Sequence, residues 1–135
     1  MIADTNIVIH LIDDFLKPNS RSELQRYAAD HRLIVNEIIY AEISGQYESA
    51  EAVTDLLEAL RMRTVRLTLN ECFRAGVAFR NYRRNGGPRT TILPDFLIGA
   101  QASVRGWSIL TRDTKRFSTY FPEVELINPM QAEND

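Results

Sequence analysis

Cysteine, a membrane-spanning run and a basic leader are scarce or missing in this sequence of 135 residues. The single cysteine, Cys72, cannot form an internal disulfide bond, which fits a reducing compartment. Cys72 lies in a helical pattern beside Phe73 and Gly76, and this predicts a buried core residue rather than a nucleophile. The longest apolar stretches, such as residues 7–12, are too short to cross a bilayer. Asp4 interrupts the first apolar run, so we expect no signal peptide and a cytoplasmic protein.

An excess of positive charge is also missing, because 16 lysines and arginines face 18 acidic residues, for a net charge of −2. Taken alone, this balance argues against a nucleic-acid partner. The charges are uneven, however, since residues 61–89 contain eight arginines and one acid, Glu71. A local arginine surface can bind phosphate whatever the total charge. A solvated helix face explains the same pattern equally well.

The composition is that of a globular domain, with 44% hydrophobic and 25% charged residues. Short apolar segments alternate with helical patterns. The predicted strands are residues 1–3, 33–35, 64–67, 107–111 and 124–127. The predicted helices are residues 5–14, 20–30 with Ser20 as cap and Glu23 completing a capping box, 36–44, 49–62, 70–85 and 94–105, with a short helical turn at 114–117. This order predicts an α/β fold, a three-layer α/β/α sandwich with a short, mainly parallel central sheet. We expect one domain over residues 1–129 and a polar tail over residues 130–135.

Four acidic residues stand beside apolar residues, each at the end of a predicted strand or on the apolar face of a predicted helix. They are Asp4, Glu42, Asp95 and Asp113. Burying an unpaired carboxylate costs several kcal/mol or forces protonation. Each has an ordinary explanation by itself, because Asp4 and Asp113 can cap helices, Asp95 suits a helix N-terminus and Glu42 can extend outward from the rim of its face.

Together, the four acids are better explained by a shared metal ion. Asp4 and Asp113 each follow a strand, and sites in parallel sheets form beyond the carboxyl ends of the strands. Oxygen ligands without a cysteine or histidine pair favour Mg²⁺ or Mn²⁺ over zinc, and we take His10 and His31 as structural or surface residues. An acidic site with such ions is a recurring device for phosphodiester hydrolysis. Asn6 and Thr111 are candidates for orienting Asp4 or a metal-bound water.

Four segments in order resemble the PIN-domain nucleases, and in spacing and length they most resemble the VapC-type toxins of bacterial type II toxin–antitoxin pairs. They are Ala3-Asp4-Thr5-Asn6, Ile39-Tyr40-Ala41-Glu42, Leu93-Pro94-Asp95-Phe96-Leu97-Ile98-Gly99-Ala100 and Leu110-Thr111-Arg112-Asp113. The resemblance covers nearly the whole chain. It implies a PIN-like fold, an RNA endonuclease activity that depends on Mg²⁺ or Mn²⁺ at the four acids, a homodimer, and a small antitoxin that inhibits the site.

Two departures from that family pattern affect the site. Only three residues precede Asp4, where the family has a slightly longer first strand, so either the strand is short or the natural start lies upstream. Some relatives have asparagine at the position of Asp113 and an acid three residues later. Here Arg116 occupies that later position, which leaves Asp113 as the candidate.

The arginines provide candidate RNA contacts. Arg112, Lys115 and Arg116 flank Asp113 and are expected to bind phosphates next to the scissile one. A second group surrounds the loop at residues 86–88 and is expected to guide RNA to the acids. It consists of Arg80, Arg83, Arg84 and Arg89. Tyr82 is expected to pack within the fold rather than to stack on a base.

Three other functions remain open from the sequence. A housekeeping RNA-processing PIN nuclease would share the same site. A phosphotransfer domain would need a nucleophilic aspartate, in phosphatases commonly within an Asp-x-Asp pattern, and here the second position is Asn6. A binding scaffold with an inactive site is disfavoured because all four acids are present.

Overall fold

A computed structural model describes residues 1–19, 22–88 and 93–129. Within these ranges lie five short strands, β1 (Ile2–Ala3), β2 (Ile34–Val35), β3 (Arg63–Thr64), β4 (Ile109–Leu110) and β5 (Leu126–Ile127). They also contain seven helices, α1 (Thr5–Leu16), α2 (Glu23–Ala29), α3 (Glu37–Ser44), α4 (Ala50–Ala59), α5 (Leu69–Arg84), α6 (Leu93–Arg105) and α7 (Thr114–Ser118). None of the described helices is long and apolar enough to span a membrane. The tail predicted at residues 130–135 lies outside the described residues.

The strands form one parallel sheet in the order β3-β2-β1-β4-β5. The inner strands β1 and β4 are fully buried, as expected for a sheet that is covered on both faces, whereas both residues of the edge strand β3 are exposed. The predicted three-layer α/β/α sandwich is confirmed. Each strand is shorter than its apolar run, and the third begins at Arg63, one residue before the predicted segment.

Polar side chains begin most of the helices. Asn36, Ser49 and Thr68 each accept hydrogen bonds from backbone N–H groups in the first turn of the helix that follows. The predicted cap of α2 was wrong, because Ser22 caps this helix and forms a capping box with Gln25. Ser20 lies outside the described residues.

An aromatic cluster fixes α6 against α5 and the segment after α7. Gly99 of α6 lies so close to the Phe121 ring that a Cβ added there would be 2.4 Å from ring atoms. The Tyr82 ring packs against Phe96 and Tyr120, with centroids 5.4 and 5.8 Å away. Gly99 therefore packs closely against Phe121, and the predicted packing role of Tyr82 is confirmed.

The burial of α5 differs from the prediction. Its buried positions are Glu71, Ala75 and Ala78, which follow the i, i+4, i+7 spacing of one helix face. Cys72 is about 100° away from Glu71 on the helix and is exposed, so its prediction as a core residue was wrong. Phe15, in the last turn of α1, is also exposed, at 47%.

Two buried polar groups connect the helices. The Glu71 carboxylate is fully buried and accepts hydrogen bonds from Arg105 Nε at 3.0 Å and from Thr68 Oγ1 at 2.7 Å. Burial raises the pKa of Glu71, but these hydrogen bonds outweigh it and leave the pKa below its usual value. The buried Gln101 side chain accepts from Asn36 and donates to the carbonyl of Val65. These bonds hold α6, and with it Asp95, in a fixed position.

Candidate active site

The candidate site lies at the carboxyl edge of the sheet, where β1 and β4 are neighbours. Asp4 directly follows β1, and residues 111–113 directly follow β4. The chain crosses from β1 to β2, which pairs with one edge of β1, and β4 pairs with the opposite edge of β1. Such a change of direction leaves a crevice beyond the strand ends, which is the usual binding position in an open α/β sheet.

Asp4 is only 3% exposed, although it lies at the helix N-cap position of α1. Its side chain makes no capping hydrogen bond to that helix. Instead, Asp4 Oδ2 accepts a hydrogen bond from Thr111 Oγ1 at 3.0 Å. The ordinary explanation of Asp4 as a helix cap is therefore wrong, and its carboxylate is held towards the strand ends.

Thr111 connects the ends of β1 and β4 through its hydroxyl group. Its hydroxyl is buried, donates to Asp4 and accepts from the backbone N–H of Asp113 at 3.0 Å. Asn6, the other predicted orienting residue, is exposed. No hydrogen bond joins Asn6 to Asp4 among the described residues.

Glu42 contacts Thr5, the residue after Asp4, and does not point into the core. It is exposed because α3 buries Ile39 and Ile43, and Glu42 is rotated by about 100° from Ile43. The inward position predicted for Glu42 was wrong. Its Oε1 accepts a hydrogen bond from Thr5 Oγ1 at 2.7 Å. Thr5 has no sequence signal for this contact except its position directly after Asp4.

Arg116 binds the remaining acids together. Its Nη1 donates to Asp95 Oδ1 at 3.0 Å and lies 4.0 Å from Asp4 Oδ2, while its Nη2 lies 3.1 Å from Asp113 Oδ2. Asp113 also accepts from the backbone N–H of Arg116 and so caps α7. The contact with Asp113 has a sequence signal, since residues three apart on a helix are neighbours. The contact between Arg116 and Asp95 has no sequence signal, because the two residues are 21 positions apart.

The pKa of Asp95 is raised. Burial is the largest cause; Arg116 lowers this pKa, and the negative charges of Asp4 and Glu42 raise it again. The positive charge of Arg116 therefore does not fully offset the rise in the pKa of Asp95 that burial and the neighbouring negative charges cause. Asp4 and Glu42 therefore lie close enough to Asp95 to act on its pKa, and Asp113 is linked to Asp95 through the guanidinium of Arg116.

The other predicted basic residues are placed differently. Arg112 is exposed, and its guanidinium contacts Nδ1 of His10, whose Nε2 lies 3.2 Å from the buried Asp14 carboxylate. Lys115 and Arg84 are exposed, on α7 and at the end of α5. Arg89 lies outside the described residues.

The donor atoms of this group suit a hard divalent cation, because they are carboxylate oxygens with incomplete charge compensation. Their present spacing does not, since no three acidic, histidine or cysteine side chains in the described ranges are arranged to hold a metal ion. The chemistry of the donors thus fits Mg²⁺ or Mn²⁺, while their arrangement in this structure fits the guanidinium of Arg116.

A parallel α/β sandwich with carboxylates at the carboxyl edge of its sheet is an arrangement that can serve several classes of metal-dependent enzymes acting on phosphate esters. The profile of the PIN domain matches residues 1–121. The chain belongs to the PIN-domain family, whose members are generally nucleases. No curated protein matches the sequence.

Solved structures share the fold over nearly the full length. The DNA-bound VapBC structure from Salmonella typhimurium contains a chain with 20% identity and a TM-score of 0.72, covering 95% of this chain and 96% of that one. VapBC-1 from nontypeable Haemophilus influenzae gives 21% identity and a TM-score of 0.72, with 96% and 97% coverage. A toxin–antitoxin complex from Klebsiella pneumoniae gives 21% identity and a TM-score of 0.67, with 95% and 96% coverage. At these identities the likeness establishes the fold.

Proposed function

We propose that this protein is an endoribonuclease that depends on Mg²⁺ or Mn²⁺ and acts as the toxin of a toxin–antitoxin pair. The observation that carries the proposal is that Asp4, Asp95 and Asp113 surround the guanidinium of Arg116 at the carboxyl edge of a PIN fold. The fold shared with chains of VapBC complexes supports the toxin role. The proposal includes a single nuclease domain over residues 1–129 that acts in the cytoplasm.

Asp4, Asp95, Asp113 and Glu42 would hold the metal. When bound, a divalent ion supplies a water of lowered pKa and neutralises negative charge that develops on the phosphate. Thr111 keeps Asp4 facing the site through its 3.0 Å hydrogen bond. Glu42 is exposed to water and held by Thr5, so we assign its carboxylate to accept the proton of the attacking water.

RNA binding is assigned to the exposed cations around the acids. Arg112 and Lys115 flank Asp113 and Arg84 ends α5, and all three are exposed, so we assign phosphate contacts to them. Arg89 is included from the sequence alone. The proposed partners are an RNA substrate, a small antitoxin and a second copy of the chain.

The decisive experiment is cleavage of total cellular RNA by purified protein that is free of antitoxin, in Mn²⁺, in Mg²⁺ and in EDTA. We expect discrete fragments with either metal, none in EDTA and none with Asp95→Asn. The Asp55→Asn variant changes an exposed aspartate of α4 and is the matched control, which should cleave like the unchanged protein. Fragments that persist in EDTA, or in Asp95→Asn, would contradict the proposal.

A housekeeping RNA-processing nuclease is the second candidate, because the same acidic site would serve it. Expression in cells separates the two roles. A toxin should arrest growth unless its antitoxin is expressed with it, and the arrest should disappear in Asp95→Asn. Normal growth despite demonstrated RNA cleavage in vitro would favour the housekeeping role.

A further inference from the structure

Arg116 occupies the centre of the acidic site in this structure. Its guanidinium contacts Asp95 at 3.0 Å and Asp113 at 3.1 Å, and it lies 4.0 Å from Asp4. Three carboxylates from three separate chain segments thus face one side chain of α7. The Arg116 side chain is 25% exposed, so these contacts are partly shielded from solvent.

We propose that Arg116 is a built-in counter-cation of the site, which holds Asp4, Asp95 and Asp113 together in the absence of a divalent ion and competes with that ion for them. This inference rests on the proposed metal-dependent function. Carboxylates this close repel one another unless a positive charge lies between them. The guanidinium provides that charge and donates charge-assisted hydrogen bonds to Asp95 and Asp113.

Competition follows from the arrangement of the oxygen atoms. Two of the carboxylates that would coordinate the cation, Asp95 and Asp113, are hydrogen-bonded to Arg116, and Asp4 Oδ2 lies 4.0 Å from the same guanidinium. Metal binding therefore requires the guanidinium to move away. A displaced Arg116 remains beside the site on α7, where an RNA phosphate can accept its hydrogen bonds.

The sign of the effect on metal affinity distinguishes competition from simple structural support. A residue that merely supports the site would, when removed, loosen the carboxylates and weaken metal binding. A competitor would, when removed, strengthen it. The test therefore measures Mn²⁺ affinity directly, by electron paramagnetic resonance of free Mn²⁺ without RNA, in the unchanged protein, Arg116→Ala, Arg116→Lys and Lys115→Ala.

We expect Arg116→Ala to bind Mn²⁺ about tenfold more tightly, which matches the loss of one charge-assisted interaction. Arg116→Lys should fall between this variant and the unchanged protein, because lysine keeps the charge without the forked donors. Lys115→Ala removes the same charge from an exposed neighbour, and its effect should be about twofold at most because solvent and salt screen it. Thermal unfolding in EDTA should show Arg116→Ala to be less stable, with a larger gain on adding Mn²⁺.

Equal or weaker Mn²⁺ binding by Arg116→Ala would overturn the competition while leaving the metal-dependent nuclease intact. A gain in Mn²⁺ affinity in Lys115→Ala as large as that in Arg116→Ala would also overturn it. The loss of any nearby positive charge would then explain the result. Absence of Mn²⁺ binding in every variant would overturn both this inference and the metal dependence on which it rests.

Discussion

The Thr111 hydroxyl donates a 3.0 Å hydrogen bond to Asp4 Oδ2, across the carboxyl ends of two neighbouring parallel strands. Both side chains are buried, and the same hydroxyl accepts a hydrogen bond from the backbone N–H of Asp113 at 3.0 Å. One hydroxyl group thus fixes the Asp4 carboxylate and the start of the loop that carries Asp113. Groups that orient metal ligands in this way are commonly almost as important as the ligands.

Replacing Thr111 with valine tests this connection, because valine keeps the shape of the side chain and removes the hydroxyl. We expect Thr111→Val to lower the rate of RNA cleavage by about 10- to 100-fold, the usual cost of losing such an orienting bond. The rate would be measured in Mn²⁺ at saturating RNA. Thr119→Val, at an exposed threonine after α7, is the control and should cleave normally. A normal rate in Thr111→Val would show that Asp4 does not depend on this bond.

The raised pKa of Asp95 predicts that the site costs stability in the absence of metal. A carboxyl whose pKa is higher in the folded than in the unfolded protein destabilises the fold as the pH rises through that range. Asp95→Asn removes the charge, so in EDTA at pH 8 we expect it to be more stable by about 1 kcal/mol, an ordinary size for a trade between stability and activity. The advantage should shrink towards acidic pH, where Asp95 itself is protonated.

Thermal unfolding in EDTA as a function of pH provides the measurement for Asp95→Asn. The exposed Asp55→Asn variant should show little difference from the unchanged protein at any pH. A variant that is less stable than the unchanged protein at pH 8 would mean that the ion pair with Arg116 outweighs burial and repulsion. In that case the carboxylate would be a net stabilising group.

Two glycines in helices should respond to alanine in opposite directions. A Cβ at Gly99 would lie 2.4 Å from the Phe121 ring, which is 1% exposed and cannot move aside. We expect Gly99→Ala to destabilise the protein by about 1–3 kcal/mol through overpacking. Gly76 is exposed within α5 and has no atom within 4 Å of an added Cβ. Gly76→Ala should therefore stabilise by about 0.5–1 kcal/mol.

Urea unfolding of both alanine variants provides the comparison. Because the two substitutions are chemically identical and both lie inside helices, the difference between them isolates packing around Gly99. Equal effects in the two variants would show that α6 and the segment with Phe121 can separate without cost. Such a result would contradict the close packing that positions Asp95.

The order of elements was predictable because it depends on local patterns. Apolar runs of strand length alternate with helical periodicity, and this pattern already predicts a parallel sheet with Asp4 and Asp113 at its carboxyl edge. Boundaries were less predictable. Within the strand predicted at residues 107–111, only Ile109–Leu110 form a strand. The predicted cap of α2 was Ser20, whereas Ser22 caps this helix in the structure.

Burial on a helix was also predicted incompletely. Cys72 and Glu42 both lie next to buried positions, and a rotation of about 100° per residue decides whether such a side chain faces the core. The neighbouring element settles that rotation. In α5 the buried face includes the charged Glu71, because Arg105 from α6 supplies a partner that the local sequence does not contain.

The sequence by itself determined the α/β order and the PIN-domain resemblance, and it indicated the four candidate acids, since each depends on residue type and spacing along the chain. Only the tertiary structure decided how those acids are compensated. Arg116 is hydrogen-bonded to Asp95, which is 21 positions away in the sequence, and Thr111 is hydrogen-bonded to Asp4, which is 107 positions away. Contacts of this kind depend on how the strands and helices pack, and no local pattern of residues specifies the distance between two side chains so far apart in the chain.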